Sequence, residues 1–400
     1  MGFSRRFLSL IVDHRVPGAK SLIRIDLTRH KLFNTLPGLP LNGNISESEG
    51  EATLSPGGKP KMKTIRLPAP SFNFQSSAMG HLWYMKCFPL ASDRMLCNDQ
   101  SGRCALFNPD LLQVEPMTYH HMPKNLPLSI FVPNDDSDGR GSIYIMASRP
   151  SPEFGDATQL SYQFEAFVYR RPSTSFTKSW QCELLPRPPF LCNPKYYAQV
   201  PHSTRPRISS YAVVGGGSQV CISVDNAGTY CLDTVTHTWT QVGEWTLPFV
   251  GKVEYVPELK LWFGICSKDL QLGAADLSTM GMDSQPQLVH TGKEFVAPEE
   301  WTALRHPQFI NLGSGRFCIA RFFCAPNFMG LFDPDVPEEE YFTVLTGMDA
   351  VPCVHNGNGT AGATCSNVND SNGKVEIKMV NHNSRRHVSY GSDGTINLVF

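Results

Sequence analysis

Apolar residues along this chain come in short runs separated by polar turns, and none sustains a helical period. Runs such as Leu8 to Val12, Met95 to Cys97, Ser142 to Met146, Val220 to Val224, Leu261 to Ile265 and Phe317 to Ala320 predict strands. A weak repeat links them: two alternating apolar residues lead into a turn, and an apolar residue follows six positions after it. Ile23 and Ile25 precede Asp26, with Leu32 beyond; Ala105 and Phe107 precede Asn108, with Val114 beyond; Phe167 and Tyr169 precede Arg170, with Phe176 beyond. Tyr230 and Leu232 precede Asp233, with Trp239 beyond, and Gly273 and Ala275 precede Asp276, with Met282 beyond. Each copy predicts a strand with one buried face, a turn favoured by Asp or Asn, and a return strand carrying an apolar anchor.

The turn positions lie 43 to 82 residues apart, so the period is irregular. A sixth unit is suggested by Phe317 to Ala320, Phe342 to Leu345 and Val375 to Val380. Blades of about 50 residues would account for most of the chain. Residues 36–74 and 355–373 lack period and are rich in polar residues, so they are expected as flexible insertions in a single domain over residues 1–400. Pro298 to Leu304 is the one stretch suited to a helical turn. Antiparallel units without helices predict an all-β fold, a β-propeller of six blades, or seven, with the chain ends sharing a closing blade.

Composition narrows the function. Lys plus Arg (35) nearly cancels Asp plus Glu (36), so no bulk field holds nucleic acid or an anionic membrane. No apolar run is long enough to span a bilayer, and no signal-peptide pattern opens the chain, which leads us to expect a cytoplasmic or nuclear protein, with organelle targeting by the Arg-rich first thirty residues as the alternative. The twelve cysteines contain no Cys-x-x-Cys and are expected to be reduced, although Cys221 and Cys231 would face each other across a hairpin.

At Tyr211 to Phe249 the residues carry a specific resemblance. Gly215-Gly216-Gly217, the strand around Ile222, then Gly228-Thr-Tyr-Cys-Leu-Asp233 and Trp239 resemble a kelch blade, with paired glycines, an aromatic residue and a tryptophan after a turn. Phe7 to Val12, Phe164 to Tyr169, Gly251 to Phe263, which includes Trp262, and Gly313 to Arg321 are similar to segments of a grass-lineage family of hypothetical proteins. That family is a domain of unknown function with kelch-like or galactose-oxidase-like propeller character. The resemblance implies a propeller and a plant origin, and it brings no active residues to transfer. Gly215, Gly216, Asp233, Trp239 and Trp262 are therefore read as structural repeat positions.

No catalytic pattern finds its structural context. Gly357-x-Gly359-x-x-Gly362 has no helix behind it to meet a pyrophosphate. Asn134, Asp136, Asp138 and Gly139 begin a calcium loop, but position twelve is Ile145 rather than Glu. His120 and His121 are adjacent, so in a strand they would point to opposite faces and could not share a metal. His202, His237 and His306 lie near expected loops, the acidic run Glu338 to Glu340 is expected in solvent, and the tryptophans are expected to pack between blades. We therefore expect no catalytic residues, metal or cofactor. The reading is a non-catalytic propeller that binds another protein, with an enzyme or small-ligand binder using the propeller mouth as the alternative.

Overall fold

The computed structural model describes residues 5–14, 19–34, 62–75, 85–90, 94–99, 101–124, 126–133, 140–153, 155, 159–173, 176–198, 200–201, 204–282, 284–292, 296–327, 338–352, 377–389 and 394–400. Nearly every element among them is a strand, and no α-helix occurs. The first sheet unit contains β1 (Phe7–Asp13) and β2 (Ala19–Asp26); after β3 (Lys63–Thr64), which belongs elsewhere, β4 (Phe72–Gln75) pairs with β2. The second unit is the meander β5 (Met85–Pro89), β6 (Met95–Asp99), β7 (Cys104–Asn108) and β8 (Gln113–Pro116). The third is β9 (Pro127–Val132), β10 (Ser142–Ala147), β11 (Leu160–Arg170) and β12 (Ser179–Pro186).

The fourth unit, β13 (Ile208–Val214), β14 (Gln219–Val224), β15 (Gly228–Asp233) and β16 (Trp239–Gly243), joins the fifth through its first strand. The fifth is β17 (Phe249–Val256), β18 (Leu261–Cys266), β19 (Leu272–Ala275) and β20 (Leu288–Thr291), and β13 and β17 run parallel. In the last unit β21 (Thr302–Ala303) and β22 (Gln308–Gly313) both pair with β23 (Arg316–Asn327), followed by β24 (Glu338–Pro352) and β25 (Ile377–Val388). β3 extends this sheet from β25, and β26 (Thr395–Val399) returns to pair with β1, so both chain ends share one sheet.

Packing follows from the pattern of burial. β10, β14 and β18 each bury five consecutive residues, which a sheet does only when both of its faces are covered. The buried clusters supply those covers. Tyr144 and Phe164 of the third unit pack with Ile222 and Tyr230 of the fourth, Phe249 and Trp262 of the fifth with Cys221 of the fourth, and Phe263 of the fifth with Phe317 of the last. Leu10 and Ile25 of the first unit pack with Cys318 and Leu345 of the last, and Ile11 packs with Met95 and Phe107 of the second. Each unit is thus sandwiched between its neighbours around a closed ring, which makes the fold a β-propeller.

Indole N–H groups fasten neighbouring units. Trp180 of β12 donates to Glu115 Oε1 of β8 at 3.2 Å, Trp239 of β16 to the Pro186 carbonyl at 2.9 Å, and Trp262 of β18 to the Val213 carbonyl at 3.0 Å. The ring orientation also defines two faces. Segments that pass from one unit to the next, and turns between second and third strands, gather on one face, here called the connecting face. Turns between first and second, and third and fourth, strands gather on the other.

All five copies of the sequence repeat fall at the ends of third strands, β2, β7, β11, β15 and β19. Asp26, Asn108, Asp233 and Asp276 accept backbone N–H bonds two residues on, at 2.8 to 2.9 Å, which fixes the turn. The apolar anchors differ from expectation. Leu32 is buried, but Val114, Phe176 and Met282 are exposed, because the return strand or turn lies at the outer edge of its unit.

Residues 36–61 and the whole of 355–373 lie outside the described residues. The end of the first stretch lies at the surface but is anchored: β3 and β4 lie there, Ile65 is buried against the last unit, and Phe72 and Phe74 pack on Phe107 with centroids 4.8 and 5.2 Å apart. Two- and four-residue strands are too short to show a period. Pro298 to Leu304 forms a turn and then β21 rather than a helical turn. Glu338 to Glu340 opens β24 rather than lying in a loop; Glu339 is exposed as expected, and Glu340 pairs with Arg386. The Asn134 to Gly139 motif, the Gly357 to Gly362 motif and His202 lie outside the described residues.

Ring closure is testable. Val399 of β26 sits opposite Leu10 and is buried in the cluster between the first and last units. Val399→Asp should lose more than about 3 kcal/mol of urea-unfolding stability, whereas the exposed neighbour Thr395→Asp should stay within about 0.5 kcal/mol of the parent. Equal effects would mean that this strand does not hold the ring.

Candidate functional site

The densest polar constellation in the described interior lies between the second and third units, at the connecting face. It is built on Glu165 of β11. Residues 162–164 bulge out between the pairs Ser161↔Leu185 and Glu165↔Leu184, and such a bulge re-aims the side chains that follow it. Glu165, Phe167 and Cys182 then share the face of the third unit that meets the second, since Phe167 pairs with Cys182 and Glu165 lies two residues before it. The segment after β8 crosses above them with His120, His121 and Lys124.

Both oxygens of Glu165 are fully engaged. Oε1 accepts from Lys124 Nζ at 2.8 Å and from the His121 backbone N–H at 3.1 Å. Oε2 faces His120 Nδ1 at 2.7 Å and accepts from the Cys182 thiol at 3.6 Å. The side chains of Glu165, His120 and Lys124 are completely buried. His120 is anchored on its far side by Asn98 Nδ2, 3.0 Å from Nε2, and its ring meets Phe167 edge-on at 5.2 Å. Lys124 also reaches the Met122 carbonyl at 2.5 Å.

The electrostatics are those of a buried ion pair. Burial works to raise the Glu165 carboxyl, but the His120 hydrogen bond and the Lys124 charge outweigh it and hold the group below the ordinary glutamate value. Burial pushes the Lys124 ammonium down from its ordinary value, against the pull of Glu165. Burial, then the Glu165 charge, push the Cys182 thiol far up, and burial carries Cys104 to about 12.

His121 is the solvent-facing member, with 38% of its side chain exposed. Its Nδ1 lies 3.6 Å from Cys182 Sγ and 3.4 Å from Glu165 Oε1. A cysteine nucleophile needs the base to contact the thiol through one ring nitrogen and the orienting acid through the other. Here both partners crowd Nδ1, and the carboxylate raises the thiol instead of activating it. The geometry therefore does not make a Cys–His–acid triad.

In a strand, adjacent His120 and His121 would point to opposite faces. Residues 117–124 are not a strand, and both histidines turn to the same carboxylate. His237 lies in a turn on the opposite face, its ring edge-on to Tyr144 at 6.3 Å, and His306 lies in the segment leading to β22, so these two do not converge. Gly215 and Gly216 form the turn between β13 and β14 with φ of +59° and +66°, a conformation that favours glycine. Asp233, Trp239 and Trp262 hold a turn and two interfaces, and take no part in the polar constellation. Cys221 and Cys231 are direct partners across β14 and β15 and are free thiols, with Cys221 pushed well up by its neighbour and by burial.

A second feature of the connecting face is a cavity of about 250 Å³ between the last and first units, lined by Asp13, Arg305, Phe322, Tyr341, Ile396 and Asn397. Arg305 lies over the Phe322 ring at 3.6 Å and donates to Asn397 Oδ1 at 3.0 Å and to the Ile396 carbonyl at 2.7 Å.

A propeller with a buried polar constellation at the seam between its second and third units is the class this chain defines. The chain belongs to the family described as Protein of unknown function (DUF1668), whose pattern matches residues 5–387. No curated protein matches it in sequence. Solved structures resemble it distantly. A Bacteroides thetaiotaomicron protein of unknown function is 10% identical over 87% of this chain and 78% of that one, with a TM-score of 0.34. Apo AztD from Citrobacter koseri is 11% identical over 96% and 99%, also at 0.34. The Cps50 (Swd1) β-propeller domain of Myceliophteria thermophila is 13% identical over 48% of this chain, with a TM-score of 0.29, and the chain spans about half (53%) of that domain. Among the described residues no helix is long and apolar enough to cross a membrane.

The buried pair makes a prediction. Removing one partner of such a pair strands the other charge, so Glu165→Gln should cost about 3–5 kcal/mol in urea unfolding at neutral pH. Glu165→Gln with Lys124→Met should recover part of that loss. Because the folded carboxyl titrates below its unfolded value, its contribution is complete above the ordinary glutamate range and fades as pH falls through the folded value. The single variant should flatten this acid limb. A parent-like acid limb in the variant would show that Glu165 is not ionised in the fold.

Proposed function

We propose that this chain is a non-catalytic six-bladed propeller, of kelch-like type and plant origin, that binds another protein through the connecting face of its third unit. The observation that carries the reading is a set of exposed apolar side chains beside the Glu165 constellation. Tyr119, Met122, Leu126, Leu160 and Tyr162 are each 44 to 60% exposed. Tyr162 stands edge-on to His121 with centroids 6.4 Å apart, while the Leu126 carbonyl accepts from the Ser148 N–H at 3.3 Å, which brings the start of β9 and the end of β10 to this edge. Their supporting segment is held by the buried Lys124–Glu165 pair, so the surface is pre-shaped and Lys124 adds no net charge to it. The partner this surface suits is an apolar, aromatic-rich protein segment, bound with little dependence on salt. A soluble compartment such as the cytoplasm or nucleus belongs to the same proposal.

The test is cross-linking and mass spectrometry on source-tissue extract, comparing the parent with Met122→Ser/Tyr162→Ser and with Phe176→Ser on the opposite face. A partner lost only with the first variant, and retained at high salt, supports the reading. Partners that are indifferent to Met122 and Tyr162, or eluted by salt, overturn it.

The Arg305 cavity favours a second reading, a binder of a small molecule with a flat apolar body and an acceptor group that meets the guanidinium. Thermal-shift screening with aromatic carboxylates should then show stabilisation that Arg305→Met removes. Stabilisation indifferent to Arg305, or none across the series, would exclude this reading.

A further inference from the structure

We propose that His121, Glu165 and Cys182 form a binding site for one zinc-like divalent ion, independent of the protein-binding reading above. The three residues offer a nitrogen, an oxygen and a sulfur whose ligand atoms lie within 4.8 Å of one another. The closest approaches are tighter: 3.4 Å from His121 Nδ1 to Glu165 Oε1, 3.6 Å from His121 Nδ1 to Cys182 Sγ, and 3.6 Å from Cys182 Sγ to Glu165 Oε2. Tetrahedral zinc bonds of about 2.0–2.1 Å to nitrogen, about 2.0–2.2 Å to oxygen and about 2.3 Å to sulfur place ligand atoms roughly 3.3–3.6 Å apart. The Nδ1–Sγ and Sγ–Oε2 separations already match two edges of such a tetrahedron, and the His121 ring need only turn from Oε1 towards Oε2 to complete the third.

The surroundings suit a metal in two further ways. Ligating carboxylates are normally steadied by hydrogen bonds to their remaining lone pairs. Lys124 and the His121 N–H hold Oε1, and His120 Nδ1 holds Oε2 from the side of the second unit. The Cys182 S–H is the weakest of the four donors on Glu165, and it is the one a metal replaces. The ion bonds to Sγ, Oε2 and Nδ1, the thiol proton leaves to solvent, and His121 keeps its ring proton on Nε2. Zn²⁺ with the Cys182 thiolate and the Glu165 carboxylate is neutral, so the metal also relieves the cost of a thiol held far above its ordinary range. The exposed edge of His121 gives an entry path and leaves the fourth position to water. A thiolate, an imidazole and a carboxylate together suit zinc and cobalt rather than magnesium or calcium.

No local spacing announces the site, because its donors come from the segment after β8, from β11 and from β12. The test uses the full chain, stripped of metal and kept reduced with a non-chelating phosphine, and titrated with Co²⁺. The expected result is a thiolate-to-cobalt charge-transfer band with the intense visible bands of a tetrahedral site, saturating at one equivalent and displaced by Zn²⁺. Cys182→Ser should abolish the charge-transfer band, and His121→Ala, on the exposed side, should weaken Co²⁺ binding at least ~10-fold. Circular dichroism checks that each variant is folded, and the more exposed His121→Ala decides the matter if Cys182→Ser is not. Absence of a charge-transfer band in the parent, or a band and affinity unchanged in the folded variants, would overturn the proposal.

Discussion

The pairing of β26 with β1 is the constraint on which the rest of the structure depends. Every sheet unit here has two apolar faces, and a unit with two apolar faces is stable only between two neighbours. A linear stack would leave one face of the first unit and one of the last open to water. The ring removes both open faces at once, and the last residues of the chain do so by hydrogen bonding Phe400 to Ser9 at 2.8 and 2.9 Å and burying Ile396 and Val399 against Leu10 and Leu345. The cost is loop closure over the whole chain, which grows only slowly with length, whereas the buried area it secures spans an entire interface.

Within that ring the seam between the second and third units is different in kind. The seams between the third and fourth and between the fourth and fifth units are closed by apolar packing reinforced by an indole N–H, and the second-to-third seam has both of these as well. This one also contains a carboxylate, an ammonium and an imidazole with no exposure, held by donors from two units and the segment between them. A buried ionic set is seldom the cheapest way to hold two sheets together, since apolar residues of the same volume would serve as well. Its geometric effect is specific: it fixes the path of residues 117–124, and so the position of His121 beside Cys182 and of Met122 and Tyr119 in solvent.

Much of the fold is readable in the sequence, and the limits are physical. The repeat ending at Asp26, Asn108, Arg170, Asp233 and Asp276 marks third strands because a side-chain-capped turn and two alternating apolar residues are local features. The exposed Val114, Phe176 and Met282 were not readable as such, because whether a return strand is covered depends on the neighbouring unit rather than on its own pattern. β3 and β4 are too short for any periodicity, and the segment is held by isolated residues, the buried Ile65 and the half-buried Phe72 and Phe74. The polar constellation is legible only as separate letters. Positions 98, 120, 124, 165 and 182 meet through sheet register and a three-residue bulge, neither of which leaves a spacing in the chain. The adjacency of His120 and His121 even argued against a shared partner, an inference that fails once the segment is not a strand.

The two faces of the ring divide the labour along the same lines. On the face of the third-to-fourth strand turns, Asp26, Asn108, Asp233 and Asp276 satisfy their own backbone, and Gly215 and Gly216 make a tight turn, so these connections are closed on themselves. The connecting face is made of segments that must cross between units and cannot all be identical, since each bridges a different pair of sheets. Residues 117–126 cross over a buried carboxylate, and residues around Arg305 cross over an aromatic cavity. Non-repeating chemistry can accumulate there without disturbing the repeated core, because the strands beneath are fixed by their own interfaces. Function in this protein is therefore to be sought where the repeat is broken, at the seams of the connecting face.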